Sequence, residues 1–387
     1  MTVTAEFPFI NVTIDTRGLQ PLAKRSTGNV AIVGDAAGHG TGQENVPVMV
    51  GSEAEARNLF ATTNAAGAVT DAGRLYESIV TVLQQDPAPG RIFAVATEDT
   101  DYVSGLASIA AAPVQFVCLA NETDPAAIEQ LHDHIEAVSA DGNRRIGVGM
   151  VDPALPVAAG ETFAGNADAA YTAAKSDTGR MILAAAKVPV VGGFPETDVA
   201  AAVMGTVAGY DVHISTLMKQ IRGVGIPIER QFGPSEIKQC AEAFIAPLID
   251  PELIPGEGLF IGSGRAYTTD TSRLYPDIVR TLDHIEFLLK AGLIGSIGNV
   301  RIDRLGMQAL ASKFDGILQP LMTKRIIADY RVDIPLLGIL AAEEAARTPG
   351  QSATLTDART SRVVEVILSV TYAGAVHFLD INLALTA

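Results

Sequence analysis

The sequence has little cysteine, few basic residues and no tryptophan. Two cysteines in 387 residues exclude a disulfide framework. Cys118 falls in an apolar stretch and Cys240 in an expected helix, where each reads as a small core hydrophobe. A formal charge of -16 and a pI near 4.8 argue against nucleic acid as a partner, because phosphates demand a basic face. No apolar run reaches membrane-spanning length, and the first residues lack the basic and apolar regions of a secretory signal. The expectation is synthesis in a reducing cytosol with no membrane insertion. Hydrophobic residues at 48% and charged residues at 19% give a globular balance, and the length suits two or three compact units.

The motifs that carry chemistry are also missing. Gly34, Gly38, Gly40 and Gly42 follow a buried-type strand, yet they match neither G-x-G-x-x-G nor a Walker loop. Gly262-Ser263-Gly264 is too short for a nucleophile elbow. His132 and His134, two apart on a helix, face different directions and cannot share a metal; surface or capping roles are expected for the histidines. Asp35, Asp152 and Asp211 stand at strand ends, where a doubly wound fold places catalytic groups and where turns also place aspartate. No catalytic residue, cofactor site or metal site is expected. One charge contrast remains. The stretch 273–331 holds nine Lys or Arg and six Asp or Glu, a local balance of 9 − 6 = +3 within an acidic chain; the alternative reading is a mixed, solvated helix face.

What is present is alternation of two periods. Gly28 to Gly34 reads as a strand buried on both faces, Ser52 with Glu55 opens a helix to Phe60, and Leu75, Ile79, Val82 and Leu83 lie at helical spacing. Strand and helix continue to alternate: Ile92–Ala96, Tyr102–Ala111, Val114–Ala120, a helix capped by Asp124, then Arg145–Val151. This order predicts a mostly parallel sheet with helices on both faces. Further strands are expected over Met181–Val191, Ile226–Phe232 and Leu259–Gly262. Helices are expected over Glu196–Ala208 and from Pro234, Pro276 and Arg304, with a strand over Ile326–Ile334. Residues 340–356 suit a helix and a loop. Both ends of the chain read as strands. Ile10, Val12 and Ile14 alternate with polar residues, as do Val364 to Tyr372 and then Leu379, Ile381, Leu383 and Leu385. Terminal strands need partners, found either in the chain's own sheets or at the edges of neighbouring copies.

Several of these stretches together resemble one family. Gly28 to Gly34, the glycine-rich loop, Asn45-Val46-Pro47-Val48-Met49-Val50, then Ser52-Glu53-Ala54-Glu55-Ala56 through Leu59-Phe60 is similar to the opening of contractile tail sheath proteins of phages and related injection machines. Val207-Ala208-Gly209-Tyr210-Asp211, Ile226 to Phe232, and Leu259 through Gly262-Ser263-Gly264-Arg265-Ala266-Tyr267-Thr268 resemble later stretches of that family. So does a strand opening Ile326-Ile327-Ala328-Asp329-Tyr330. The absence of tryptophan and the surplus of glycine at 34–42 depart from the pattern.

The resemblance implies an α/β chain. A mostly parallel α/β outer domain is joined by an α+β domain built from the C-terminal third and the N-terminal strand, with extended terminal arms. The implied boundaries are 1–27 for the arm and linker, 28–265 for the α/β domain, 266–361 for the assembly domain, and 362–387 for the final strand pair and arm. It implies a non-enzymatic structural subunit without cofactors, in stacked hexameric rings around an inner tube protein. Baseplate and tail-terminator proteins are the further partners, and the setting is a virion tail or a cytoplasmic contractile particle. Phe9, Ile10, Val12 and Ile14 at one end, and Val376, Phe378, Leu379, Ile381, Leu383 and Leu385 at the other, are the implied inter-subunit strands. Arg301, Arg304, Lys313, Lys324 and Arg325 are expected to face an acidic tube. The competing expectation is a doubly wound hydrolase or nucleotide-binding enzyme using the Gly34–Gly42 loop; another self-assembling shell protein is a third.

Overall fold

A computed structural model describes residues 28–251, 254 and 258–377. The strands expected at 9–14 and 378–385 lie outside the described residues. The described chain opens with β1 (Asn29–Asp35), whose first six residues are all buried. β2 (Val48–Val50), α1 (Glu53–Phe60), β3 (Ala61–Thr63), β4 (Val69–Ala72), α2 (Arg74–Leu83), β5 (Arg91–Thr97), α3 (Tyr102–Ser108), β6 (Phe116–Leu119), α4 (Pro125–Ala140) and β7 (Ile146–Met150) follow. Next come α5 (Phe163–Ala170), β8 (Met181–Ala185), β9 (Val190–Val191), β10 (Phe194–Pro195), α6 (Val199–Gly209), β11 (Gln220–Ile221), α7 (Pro234–Glu242), β12 (Ala246–Ile249) and β13 (Leu259–Ile261). The chain then runs through α8 (Pro276–Leu293), α9 (Arg304–Thr323), β14 (Ile327–Asp333), α10 (Pro335–Ala341), α11 (Pro349–Ser361) and β15 (Ile367–Tyr372).

Close packing divides the described residues into two units. The larger comprises 28–286 with 321–330 and 369–377; the smaller comprises 287–320 with 331–368. In the larger unit the strands form a nine-stranded sheet in the order β11-β13-β12-β8-β7-β6-β1-β5-β2. The six strands from β12 to β5 pair in parallel. β2 runs antiparallel to β5 at one edge; at the other, β13 runs antiparallel to β12 and β11 antiparallel to β13, which returns β11 to the direction of the parallel strands. Side chains alternate between the two faces along each strand. Val30 and Ile32 of β1 therefore join a core with Leu75, Ile79 and Val82 of α2 and with α6. Ala31 and Val33 join another with Leu106 of α3 and with Ile128, Leu131 and Ile135 of α4. Each such large aliphatic side chain, withdrawn from water, contributes about 1.5–3 kcal/mol.

The helix starts obey local chemistry. The Ser52 hydroxyl accepts from the Glu55 N–H at 3.3 Å and the Glu55 carboxylate accepts from Gly51 N–H at 2.7 Å, satisfying donors that a first turn leaves open. Asp124 caps α4 through the Ala127 N–H at 3.2 Å, with Pro125 at the first helical position. α6 is buried on all sides, which explains its alanine and glycine content. A methyl group at Gly209 would stand 1.8 Å from the Pro87 carbonyl oxygen.

The smaller unit is held by Met307, Ile334, Leu336, Leu340, Leu355 and Ala358. α11 opens with a capping box: the Thr348 hydroxyl accepts from Gln351 N–H, and the Gln351 side chain accepts from Thr348 N–H at 2.9 Å. β14 and β15 pair as a separate two-stranded sheet. Along β15, Leu368, Val370 and Tyr372 are half-buried while Ile367, Ser369 and Thr371 are exposed, as the period-two alternation requires.

Two strand expectations need correction. Ile226–Phe232 is not a strand: it contains a short 3-10 turn at Ile228–Arg230, and Ile228 is 86% exposed. Pro227 lacks the N–H a ladder needs, and the outer edge is occupied instead by β11. The strand expected over Met181–Val191 ends at Ala185, and Val190–Val191 belongs to a separate hairpin with Phe194–Pro195. β12, which the sequence reading did not anticipate, is a parallel neighbour of β8 and contains Pro247.

Candidate functional site

In a doubly wound sheet, ligands bind outside the carboxyl ends of the strands, where the strand order reverses. Numbered along the chain, the parallel strands stand second, first, third, fourth, fifth, sixth, so the reversal lies between β1 and β6. That is the place to look for chemistry. Here it is filled by the chain's own side chains.

After β6, Glu122 turns back into the protein. Its carboxylate accepts from the Tyr102 hydroxyl, from the Thr123 and Asp124 N–H groups at 2.9 Å each, and from Arg74 at 3.2 Å. Burial alone would push this carboxyl up; the donors and the Arg74 charge outweigh it and hold it below its ordinary value. The Arg74 guanidinium also lies 4.5 Å over the Phe194 ring. Beside it, the buried Asp198 caps α6. One oxygen accepts from the Ser78 hydroxyl at 2.6 Å and from Asn121 N–H at 2.7 Å, and the other accepts from Ala201 N–H at 2.8 Å. Burial dominates there and pushes the carboxyl up. The Tyr171 hydroxyl donates to the Thr123 carbonyl and accepts from Asp152 N–H, tying the ends of β6 and β7.

The two carboxylates respond to pH with opposite signs. Glu122 is depressed in the folded state, so its contribution is present above the unfolded pKa and is lost as pH falls through the folded one. Asp198 is raised, so its contribution is present at low pH and is lost as pH rises through its folded pKa. Glu122→Gln is therefore expected to flatten the acid limb of stability measured by chemical denaturation at a series of pH values. An acid limb of unchanged slope would assign it to other groups.

The glycine-rich loop is exposed over most of its length, with Gly38 in open space, but its far end is tied to α1. Thr41 and Gly42 donate to the Asn58 and Leu59 carbonyls at 3.2 and 2.8 Å. Gly40 has φ +78°, and a methyl group there would lie 2.2 Å from the Leu59 carbonyl oxygen; at Gly42 it would meet the Phe60 ring at 2.5 Å. These glycines let the loop lie on the end of α1. Asp152 accepts from Ala154 N–H at 2.8 Å, which is turn chemistry. Ser263 is buried.

Both cysteines are buried; burial pushes the Cys118 thiol well up and Cys240 up to about 12. The histidines depart from the surface roles expected for them. His134 meets Arg145 at 3.0 Å, and burial, then the Arg145 charge, lowers it to about 4. Arg145 itself is fully buried and donates to the carbonyls of Ile109, Ala110 and Ala112 at 3.3, 3.0 and 3.3 Å.

Of the expected interface residues, Arg301, Arg304, Lys313, Lys324 and Arg325 are exposed. Among the described residues none of them forms an ion pair; Lys313 donates to the Ser296 hydroxyl at 2.7 Å. Val376 is 80% exposed. Phe9, Ile10, Val12, Ile14, Phe378, Leu379, Ile381, Leu383 and Leu385 lie outside the described residues. Glu122, Asp198 and Arg145 were not legible as a buried polar framework. The one available signal was a charged residue next to each of three apolar strand or helix segments.

No protein-family model matches the sequence, and no curated protein does. Solved structures match along nearly the whole chain. The sheath complex of PVC, an extracellular contractile injection system, in its contracted state has a TM-score of 0.71 at 12% identity, over 99% of this chain and 98% of that one. The helical sheath of the anti-feeding prophage, also contracted, has a TM-score of 0.64 at 13% identity, over 98% and 99%. The crystal structure of a sheath tail protein from Desulfitobacterium hafniense has a TM-score of 0.52 at 13% identity, over 85% and 94%. The chain has the fold of these sheath proteins.

Proposed function

We propose that this chain is the structural subunit of a contractile sheath. Copies form hexameric rings that stack helically around an inner tube, between baseplate and terminator proteins, and shortening of the cylinder drives the tube into a target envelope. The observation that carries this reading is the likeness to sheath structures over 99% of the chain. The filled crevice at the strand reversal supports a structural role over the enzymatic alternative, because its buried acceptors are already engaged within the chain. The assignment comprises an α/β domain over 28–265, an assembly domain over 266–361, and arms over 1–27 and 362–387. In it, Phe9, Ile10, Val12, Ile14, Val376, Phe378, Leu379, Ile381, Leu383 and Leu385 add strands to neighbouring copies, and rigid subunits rotate while that pairing is kept.

Electron microscopy of the concentrated protein in negative stain tests the reading: cylinders support it, and dispersed particles or flat sheets at every concentration reject it. Arg301, Arg304, Lys313, Lys324 and Arg325, exposed and without ion pairs among the described residues, are assigned to the tube face. Arg301→Glu, Arg304→Glu and Lys313→Glu combined are expected to abolish co-sedimentation with tubes. Salt at about 1 M, where the screening length is ~3 Å, is expected to weaken the unaltered protein in the same direction. Tube binding that survives both changes would remove these residues from the interface.

A further inference from the structure

The larger unit contains a cavity of about 520 Å³ lined by His213, Ser215, Lys219, Arg325 and the chain stretch Tyr372 to His377. That size suits a ligand rather than one trapped water. Its lining is one-sided in charge. Lys219, Arg325 and two imidazoles border it, and among the described residues no aspartate or glutamate does, in a chain whose net charge is -16.

The cationic groups there lack counterions. Among the described residues neither Lys219 nor Arg325 forms an ion pair, and Lys219 has only the Tyr210 ring, 5.1 Å from its Nζ. Nδ1 of His213 is buried without a hydrogen-bond partner. A buried polar atom left in that condition costs free energy, and so does a desolvated ammonium without an acid beside it; burial indeed lowers the Lys219 pKa. The nearby acid, Asp277, accepts the Tyr372 hydroxyl and is not part of the lining. His377 is already committed, with Nε2 2.8 Å from the Ser215 hydroxyl and its ring 4.5 Å from that of Tyr275. It forms a wall. The groups left to bind are Lys219, Arg325 and His213.

We propose that this cavity is an oxyanion site that takes a carboxylate or phosphate group among Lys219, Arg325 and His213. An oxyanion supplies acceptors for all three and the charge that the lining lacks. Two sources offer that chemistry: a free anion in solution, or an acidic side chain of a second copy. The free-anion arm does not depend on the sheath reading, because it is tested on dispersed subunits; the second-copy arm rests on that reading.

Isothermal titration calorimetry with inorganic phosphate and with succinate is the measurement, repeated on Lys219→Gln, Arg325→Gln and, as a control on the exposed face of α7, Lys238→Gln. Each of the first two is expected to weaken binding about tenfold, the scale of one charge-assisted hydrogen bond, with the control unchanged and with melting temperatures confirming that the variants fold. Binding by dispersed subunits identifies the free anion as the ligand. If neither anion binds, but Lys219→Gln and Arg325→Gln lower self-association in sedimentation, the acid comes from a second copy. Anions that bind parent and variants equally, or no binding together with unchanged self-association, overturn the proposal.

Discussion

A subunit lacking residues 1–15 is expected to fold, stay dispersed and form no cylinders. The side chains that make the described cores all lie between Val30 and Ala358, so the deletion removes none of them, and circular dichroism and melting temperature should stay near those of the full chain. Assembly has a different dependence. Strand addition joins copies through main-chain hydrogen bonds, each worth about 0.5–1.5 kcal/mol net. Losing several at every joint amounts to several kcal/mol, and each 1.4 kcal/mol is about tenfold in affinity. Repeated over a polymer, that loss is all-or-none. Val12→Pro, which withdraws one ladder N–H and leaves the length unchanged, should shorten or abolish cylinders by the same route. Sedimentation with negative-stain microscopy reads both. Cylinders of ordinary length from the deletion would place the joints elsewhere on the surface.

The second large effect is on stability. Asp198→Ala is expected to destabilise the α/β unit by about 3–5 kcal/mol, the scale of a lost helix cap together with stranded buried donors. Three donors lose their acceptor together: the Ser78 hydroxyl, the Asn121 N–H, and the Ala201 N–H at the start of α6. The cap alone is worth about 1 kcal/mol, and each stranded buried donor about 1–3 kcal/mol. Asp198→Asn retains acceptor capacity on one atom and should lose less; Ser78→Ala, which leaves the carboxylate its other partners, less again. Urea unfolding of the three variants orders them. A loss below about 1 kcal/mol for Asp198→Ala would mean that water replaces the carboxylate and that the crevice is wetter than its packing indicates.

Much of the α/β architecture was legible, and the reason is local. β1, β5, β6 and β7 are short apolar runs between turn residues, and α2 and α4 show helical spacing with their caps next to them in the chain. What was missed depended on distance or on thin signals. α11 buries only Leu355 and Ala358, so its periodicity is faint, although the Thr348 to Gln351 capping box marked its start. Ile226–Phe232 had the composition of a strand, but Pro227 and the exposed Ile228 make it a turn. The polar framework was out of reach from spacing: Asp198 meets Ser78 across 120 residues and Asn121 across 77. His134 read as a surface residue because its partner, Arg145, enters from the next strand. The residues assigned to an interface rest on pattern alone. Alternation marks a strand that needs a partner and says nothing of whose edge supplies it.

The sealed crevice also has a mechanical consequence. Here Glu122, Asp198, Arg74 and Tyr171 tie the loops after β6 and β7 to the helices beside them, and the α/β body is expected to be stiff across that point. In the filament proposed above, compliance is then expected in the terminal segments assigned to join copies, and the elastic modulus under tension should follow the length of those segments and be indifferent to mutations inside the body that leave it folded.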